Sequence, residues 1–232
     1  MSNLPKTSDT KPAVSSESDV SAFLDKVKSM PAPDGGGRLV FAMDATMSRQ
    51  PTWDRALAIQ GQMFMEARKL NGLAVQLVYF RGFNECRASR WVNDPLDLAT
   101  LMTKVECRGG NTQLGRVLAH VKQEAAKHKV AAVVYVGDAF EEKIDDVCQV
   151  AGEIGLLGLP LFMFQEGADA VAERAFREIA KLTHGAYLRL DGSSPAVLAD
   201  LLSAVAAFAS GGKLALERKG GNAARVLLQQ LK

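Results

Sequence analysis

Apolar residues fall along this chain in two alternating textures. Short, nearly unbroken runs occupy 39–43 (LVFAM), 73–80 (LAVQLVYF), 130–136 (VAAVVYV), 159–164 (LPLFMF) and 186–190 (AYLRL), and between them apolar positions recur every three or four residues. The runs have strand length and no polar face, as in strands buried on both sides of a parallel sheet. The longer stretches predict helices over 52–70, 113–127, 142–154, 170–182 and 195–209. Strands alternating with helices predict an α/β, doubly wound (Rossmann-like), mostly parallel sheet with helices on both faces.

One region breaks the alternation. After the run at 73–80, Gly82, Asn84 and Glu85 predict a turn, 86–92 a short strand and 94–105 a short helix or loop. So few residues cannot carry a parallel crossover, so the two strands should form a hairpin. The sheet is therefore expected to have one antiparallel edge strand.

The ends read differently. Residues 1–18 are rich in Ser, Thr, Pro, Asp and Lys and predict a disordered lead. Val20, Phe23, Leu24 and Val27 then predict a short amphipathic helix with Ser18 as its N-cap, closed by a Gly/Pro linker, PAPDGGG, at 31–37. The domain is expected over 38–210. A tail at 211–232 holds Val226, Leu227, Leu228 and Leu231 in a short amphipathic pattern, which would dock on the domain or meet a partner.

Composition narrows the function classes. At 47% hydrophobic and 23% charged over 232 residues, the chain can bury a core, which excludes a wholly disordered protein. The formal charge of +2 is uneven, because the tail holds five cations against Glu217 and leaves the body mildly acidic. No basic surplus supports nucleic-acid binding. No apolar run has the length of a membrane span and the N-terminus lacks an apolar signal core, so no membrane is expected. Cys86, Cys107 and Cys148 form no CxxC pair and suit buried thiols in a reducing compartment, hence a cytoplasmic expectation.

The candidate chemistry lies where strands end. In open α/β sheets ligands bind outside the carboxyl ends of the strands, near the reversal of strand order. The first strand runs into Asp44-Ala45-Thr46-Met47-Ser48, which sets one carboxylate and two hydroxyls at alternate positions. Thr112 follows a glycine turn at a helix start, and Asp138 ends the run at 130–136 after Gly137. On the predicted fold these five oxygen donors converge. Two carboxylates and three hydroxyls are hard ligands that select Mg²⁺ or a similar cation over Zn²⁺ or Cu²⁺, and they leave a position open to an outside acid.

These positions resemble the von Willebrand factor A (VWA) domain with its metal-ion-dependent adhesion site (MIDAS), whose pattern is D-x-S-x-S, then a threonine, then an aspartate. The resemblance covers about 38–210, through Asp44, Thr46, Ser48, Thr112 within GGNT, and Asp138. It implies a metal-dependent protein-protein interaction module, not an enzyme, in which Mg²⁺ or Mn²⁺ is completed by an Asp or Glu of a protein partner. Thr46, Ser48 and Thr112 would be direct or switchable ligands, and Asp44 and Asp138 would bind directly or through water. Cytoplasmic bacterial members often work beside AAA+ ATPases, so an AAA+ ATPase-associated complex is the implied setting. Thr46 in place of the first serine, Ala139 after Asp138, and the continuation Arg49, Pro51, Trp53 depart from the pattern. Arg49 would steer an acidic ligand or be a solvated charge; Trp53 would anchor a partner or pack at its helix start.

Two other readings compete. D-x-T-x-S also resembles the nucleophile loop of haloacid-dehalogenase-type phosphotransferases, which are Mg²⁺-dependent, and Gly137 to Glu142 loosely echoes their G-D-x-x-x-D. Against this, the acid/base position two residues after the nucleophile is Thr46, and His120, His128 and His184 lie outside these loops. A dinucleotide-binding domain is weaker, since Gly35, Gly36 and Gly37 precede the first strand and no G-x-G-x-x-G follows it.

Overall fold

The computed structural model describes residues 37–49 and 73–190, with 16, 18, 19, 21–23, 204, 205 and 209. The predicted helix over 52–70, most of that over 195–209, the basic tail, Trp53 and nearly all of the lead and linker lie outside the described residues.

Six strands form one sheet: β1 (Arg38–Asp44), β2 (Ala74–Arg81), β3 (Glu85–Ala88), β4 (Ala132–Gly137), β5 (Leu161–Glu166) and β6 (Ala186–Leu190). Their order is β3-β2-β1-β4-β5-β6, and every pairing is parallel except that of β3 with β2. This is the expected doubly wound α/β architecture with one antiparallel edge strand. The antiparallel edge strand is shorter than the predicted 86–92. The Ser89 hydroxyl accepts from the Leu77 N–H at 3.0 Å, a side chain acting where a ladder carbonyl would, and pairing resumes only as a bridge between Val92 and Val75.

Four helices are described: α1 (Pro95–Met102), α2 (Leu114–Lys127), α3 (Ile144–Leu156) and α4 (Ala170–Leu182). Because both sheet faces are covered, successive side chains of one strand enter two different cores. Val40 and Ala42 of β1, with Tyr135 of β4 and Met163 of β5, pack under α2, α3 and α4 through Val117, Ala151 and Phe176. Phe41 and Met43, with Val134, Val136, Phe162 and Phe164, face the other core, closed by Leu98 and Met102 of α1 and by Phe23. The Phe23 ring meets Phe162 edge-on at 5.8 Å.

The N-terminal cap differs from expectation. Residues 18 and 19 are already helical, and Ser16 is the cap: its hydroxyl accepts from the Asp19 N–H at 3.3 Å while the Asp19 carboxylate accepts from the Ser16 N–H at 2.6 Å. The Ser-x-x-Asp reciprocity makes the earlier serine the better start. Among the described residues no helix is long and apolar enough to cross a membrane. Cys86 and Cys148 are free thiols, and burial pushes Cys86 up to about 11.

Candidate functional site

Strand order reverses between β1 and β4, since β1 leads to β2 on one side and β4 stands on the other. At this switch point the sheet opens a crevice at its carboxyl edge. Asp44 is the last residue of β1 and is fully buried. Its Oδ1 accepts from the Thr46 N–H at 2.7 Å, a two-residue return that short acidic side chains favour and that bends the chain off the strand. A single 3-10 turn, Met47–Arg49, follows, and the Thr46 and Ser48 hydroxyl oxygens lie 3.0 Å apart. Thr46 is buried and Ser48 exposed. The backbone of Arg49 belongs to this turn; its side chain is outside the described residues.

The second loop is laid beside the first by backbone bonds. The Arg108 N–H donates to the Ala45 carbonyl at 3.1 Å, extending a parallel bridge between Thr46 and Arg108. Four residues on, Thr112 is buried and joined reciprocally to the loop after β4: its N–H donates to Glu141 Oε2 at 3.1 Å, and the Glu141 N–H donates to Thr112 Oγ1 at 2.9 Å. A hydroxyl oxygen with one acceptor site used retains a second lone pair.

The third loop begins with Asp138. The β1–β4 register ends at Met43 opposite Val136, so Asp44 and Gly137 leave the sheet side by side and Asp138 stands one residue beyond. Asp138 Oδ1 is buried and has no hydrogen-bond partner among the described residues. The chain thus brings the loops of Asp44, Thr46, Ser48, Thr112 and Asp138 to one edge. Among the described residues no cluster of three or more His, Cys, Asp or Glu is placed to hold a metal, so a cation here would rest on two carboxylates and neutral hydroxyls.

Glu141 and Glu142 do not stand out in the sequence as site residues, yet they tie the loops together. Helix α2 starts after Gln113, which makes no side-chain cap. Glu142 fills that role from across the crevice: Oε1 accepts from the Leu114 N–H at 2.5 Å and Oε2 from the Gly115 N–H at 2.9 Å. A carboxylate there satisfies two orphan donors and faces the positive end of the helix dipole. Nothing in the sequence marks Glu141 or Glu142 for this, because Thr112 already stands at the expected helix start.

The glycines before Thr112 serve a close approach. A Cβ on Gly110 would lie 2.0 Å from the Gly82 carbonyl oxygen, so only glycine lets this loop press on the β2–β3 turn. Beside them, Glu85 lies below the usual carboxylate range because the Arg81 guanidinium bonds it at 3.1 Å.

No protein-family model matches the chain, and no curated protein does. Solved structures do. A von Willebrand factor type A protein from Catenulispora acidiphila superposes with a TM-score of 0.60 at 16% identity, over 74% of this chain and 42% of that one. The SpRpn10 VWA domain matches at 0.56 and 16% identity, over 72% and 94% of the two chains. The vWF domain of the type V pili tip protein Mfa5 from Porphyromonas gingivalis matches at 0.55 and 10%, over 73% and 93%. This chain therefore spans less than half of the first of these proteins and nearly all of the other two domains. At such identities the likeness is one of fold, and the fold is that of VWA domains.

Proposed function

We propose that this chain is a protein-interaction module that captures an Asp or Glu of a partner through Mg²⁺ or Mn²⁺ held by Asp44, Thr46, Ser48, Thr112 and Asp138, a MIDAS-type site. The observation that carries the reading is Asp138 Oδ1, shut away from water at the switch point with no hydrogen-bond partner among the described residues. An unsatisfied buried acceptor costs about 1–3 kcal/mol, more when charged, and a cation would offset that cost. The donor set agrees in size and hardness. Mg²⁺ holds oxygens at about 2.0–2.1 Å in an octahedron whose adjacent corners are then about 3 Å apart, and the Thr46 and Ser48 oxygens have this separation, 3.0 Å. When bound, the ion supplies a Lewis-acidic charge with a position open to a carboxylate from outside.

The chain's own residues do the positioning. Thr46 N–H orients the Asp44 carboxylate, Glu141 N–H orients the Thr112 hydroxyl, and Glu142 fixes α2 behind them. The chain is read as a binder and not as an enzyme. Glu142, which stands where G-D-x-x-x-D would place its last acid, spends both oxygens on helix N–H groups, and this weighs against the haloacid-dehalogenase-type alternative. A cytoplasmic setting, expected from three cysteines that form no CxxC pair, and an AAA+ ATPase-associated complex, suggested by the family resemblance, belong to the same proposal.

Thermal melts with and without MgCl₂ or MnCl₂ test it. Ion at a hundred times its Kd should raise stability by about 2.7 kcal/mol, and Asp138→Ala should remove the response. A wild-type melt unmoved by millimolar Mg²⁺ and Mn²⁺ overturns the metal site. Phosphatase turnover lost in Asp44→Asn would favour the enzyme instead.

A further inference from the structure

We propose that the tip of the β2–β3 hairpin, anchored by Phe83, docks a protein segment that carries a large apolar side chain close to an acidic one. The tip lies on the same edge as the candidate metal site, because β2 runs parallel to β1 and the Ala45 N–H donates to the Phe80 carbonyl where both strands end. Phe83 is 73% exposed, and Met47, in the loop after β1, is 58% exposed. Scattered apolar residues on a surface are ordinary; what sets Phe83 apart is how firmly the turn carrying it is held.

Gln113 Nε2 donates to the Gly82 carbonyl at 3.0 Å. Arg116 donates to the Asn84 carbonyl at 2.9 Å and to Asn84 Oδ1 at 3.0 Å, and Arg81 donates to the Glu106 carbonyl at 2.9 Å. Gly110 closes on Gly82 from below. A turn fastened on both sides that shows one aromatic ring to water has already met the ordering cost of binding, and rigid aromatic anchors dominate interface energies.

The charge around the ring selects the partner. Arg87 and Arg108 are exposed and reach carboxylates only at 3.6 and 3.9 Å, so both guanidinium groups face solvent. Arg81 and Arg116 add to this potential, while Glu85 and Glu106 oppose it. A positive rim around an apolar anchor complements an acidic segment with an apolar neighbour. The inference rests on the metal reading only for where the partner's carboxylate finally sits.

The test uses the full chain and immobilised Gly-Ser peptides that carry one Asp and one Leu at varied spacing, with controls lacking either residue, in Mg²⁺ and in EDTA. Retention should require both residues. Phe83→Ser should weaken it at least about tenfold, Phe83→Leu should restore most of it, and the Mg²⁺-dependent melt should not change. Arg108→Ala should lower retention and flatten its salt dependence. Equal binding by wild type and Phe83→Ser, equal retention of Asp-only peptides, or no retention of any peptide overturns the proposal. So does a self-associated wild type that Phe83→Ser turns monomeric in sedimentation, since the occupant would then be a second copy. Retention that needs Phe83 but ignores EDTA and Asp138→Ala would keep the hairpin and sink the metal site.

Discussion

Helix α2 has a polar cluster at each end, and the two are built on opposite terms. Along its later turns His120 Nε2 donates to Gln76 Oε1 at 2.9 Å, and Gln76 Nε2 donates to the Ser89 carbonyl at 3.0 Å. Glu124 accepts from Trp91 Nε1 and from Lys127, each at 3.0 Å, and the Arg38 guanidinium covers the Trp91 ring at 5.6 Å. No buried side-chain nitrogen or oxygen there is without a partner. At the N-terminus, Glu141 and Glu142 accept from the Thr112, Leu114 and Gly115 N–H groups, yet Asp138 Oδ1 remains without a hydrogen-bond partner among the described residues. A closed network holds a fold in register, whereas an open acceptor in a rigid frame is a place for something from outside.

If that contrast holds, the two kinds of acid respond differently to removal. Glu142→Ala strips two part-buried helix N–H groups of a charged acceptor and should destabilise by about 3 kcal/mol, read from urea unfolding in EDTA. Glu142→Gln keeps one acceptor oxygen and should cost about half as much. Asp138→Ala, measured the same way, should stay within about 0.5 kcal/mol of wild type or exceed it, as expected where function is held at a cost to stability. A loss at Asp138 equal to that at Glu142 would break the comparison, for Asp138 would then belong to the framework.

Much of this was legible in the residues. The apolar runs marked the five parallel strands of the sheet, because burial on both faces leaves a pattern no amphipathic helix shares. The hairpin followed from too short a connection between 80 and 86. What the sequence concealed were contacts between loops: Glu142 capping a helix that starts 28 residues earlier, or Gly110 pressed on Gly82. Such pairs carry no local period, since they depend on which strands end side by side. The Ser16 cap is a smaller case: it lies two positions before the expected Ser18, and its reciprocal bonds with Asp19 place the helix start there.

The gentlest probe of the comparison is pH. Burial, the largest influence, pulls His120 below its ordinary value; Glu124 pulls it up and Lys127 down again, and the fall wins. The folded state therefore prefers the neutral ring, whose Nε2–H already serves Gln76. An unfolded chain binds the proton at the ordinary value near 6.5, so below that pH it takes up more protons than the native state. His120 should thus contribute its full stability above about pH 6.5 and lose it as pH falls through the depressed folded value. Urea unfolding between pH 7.5 and 5 should show a shallow decline that His120→Gln removes, and the Mg²⁺-induced shift should be the same in both proteins at pH 7.5. A variant that instead loses the metal response would join the two ends of α2 into one cooperative network and end the distinction between them.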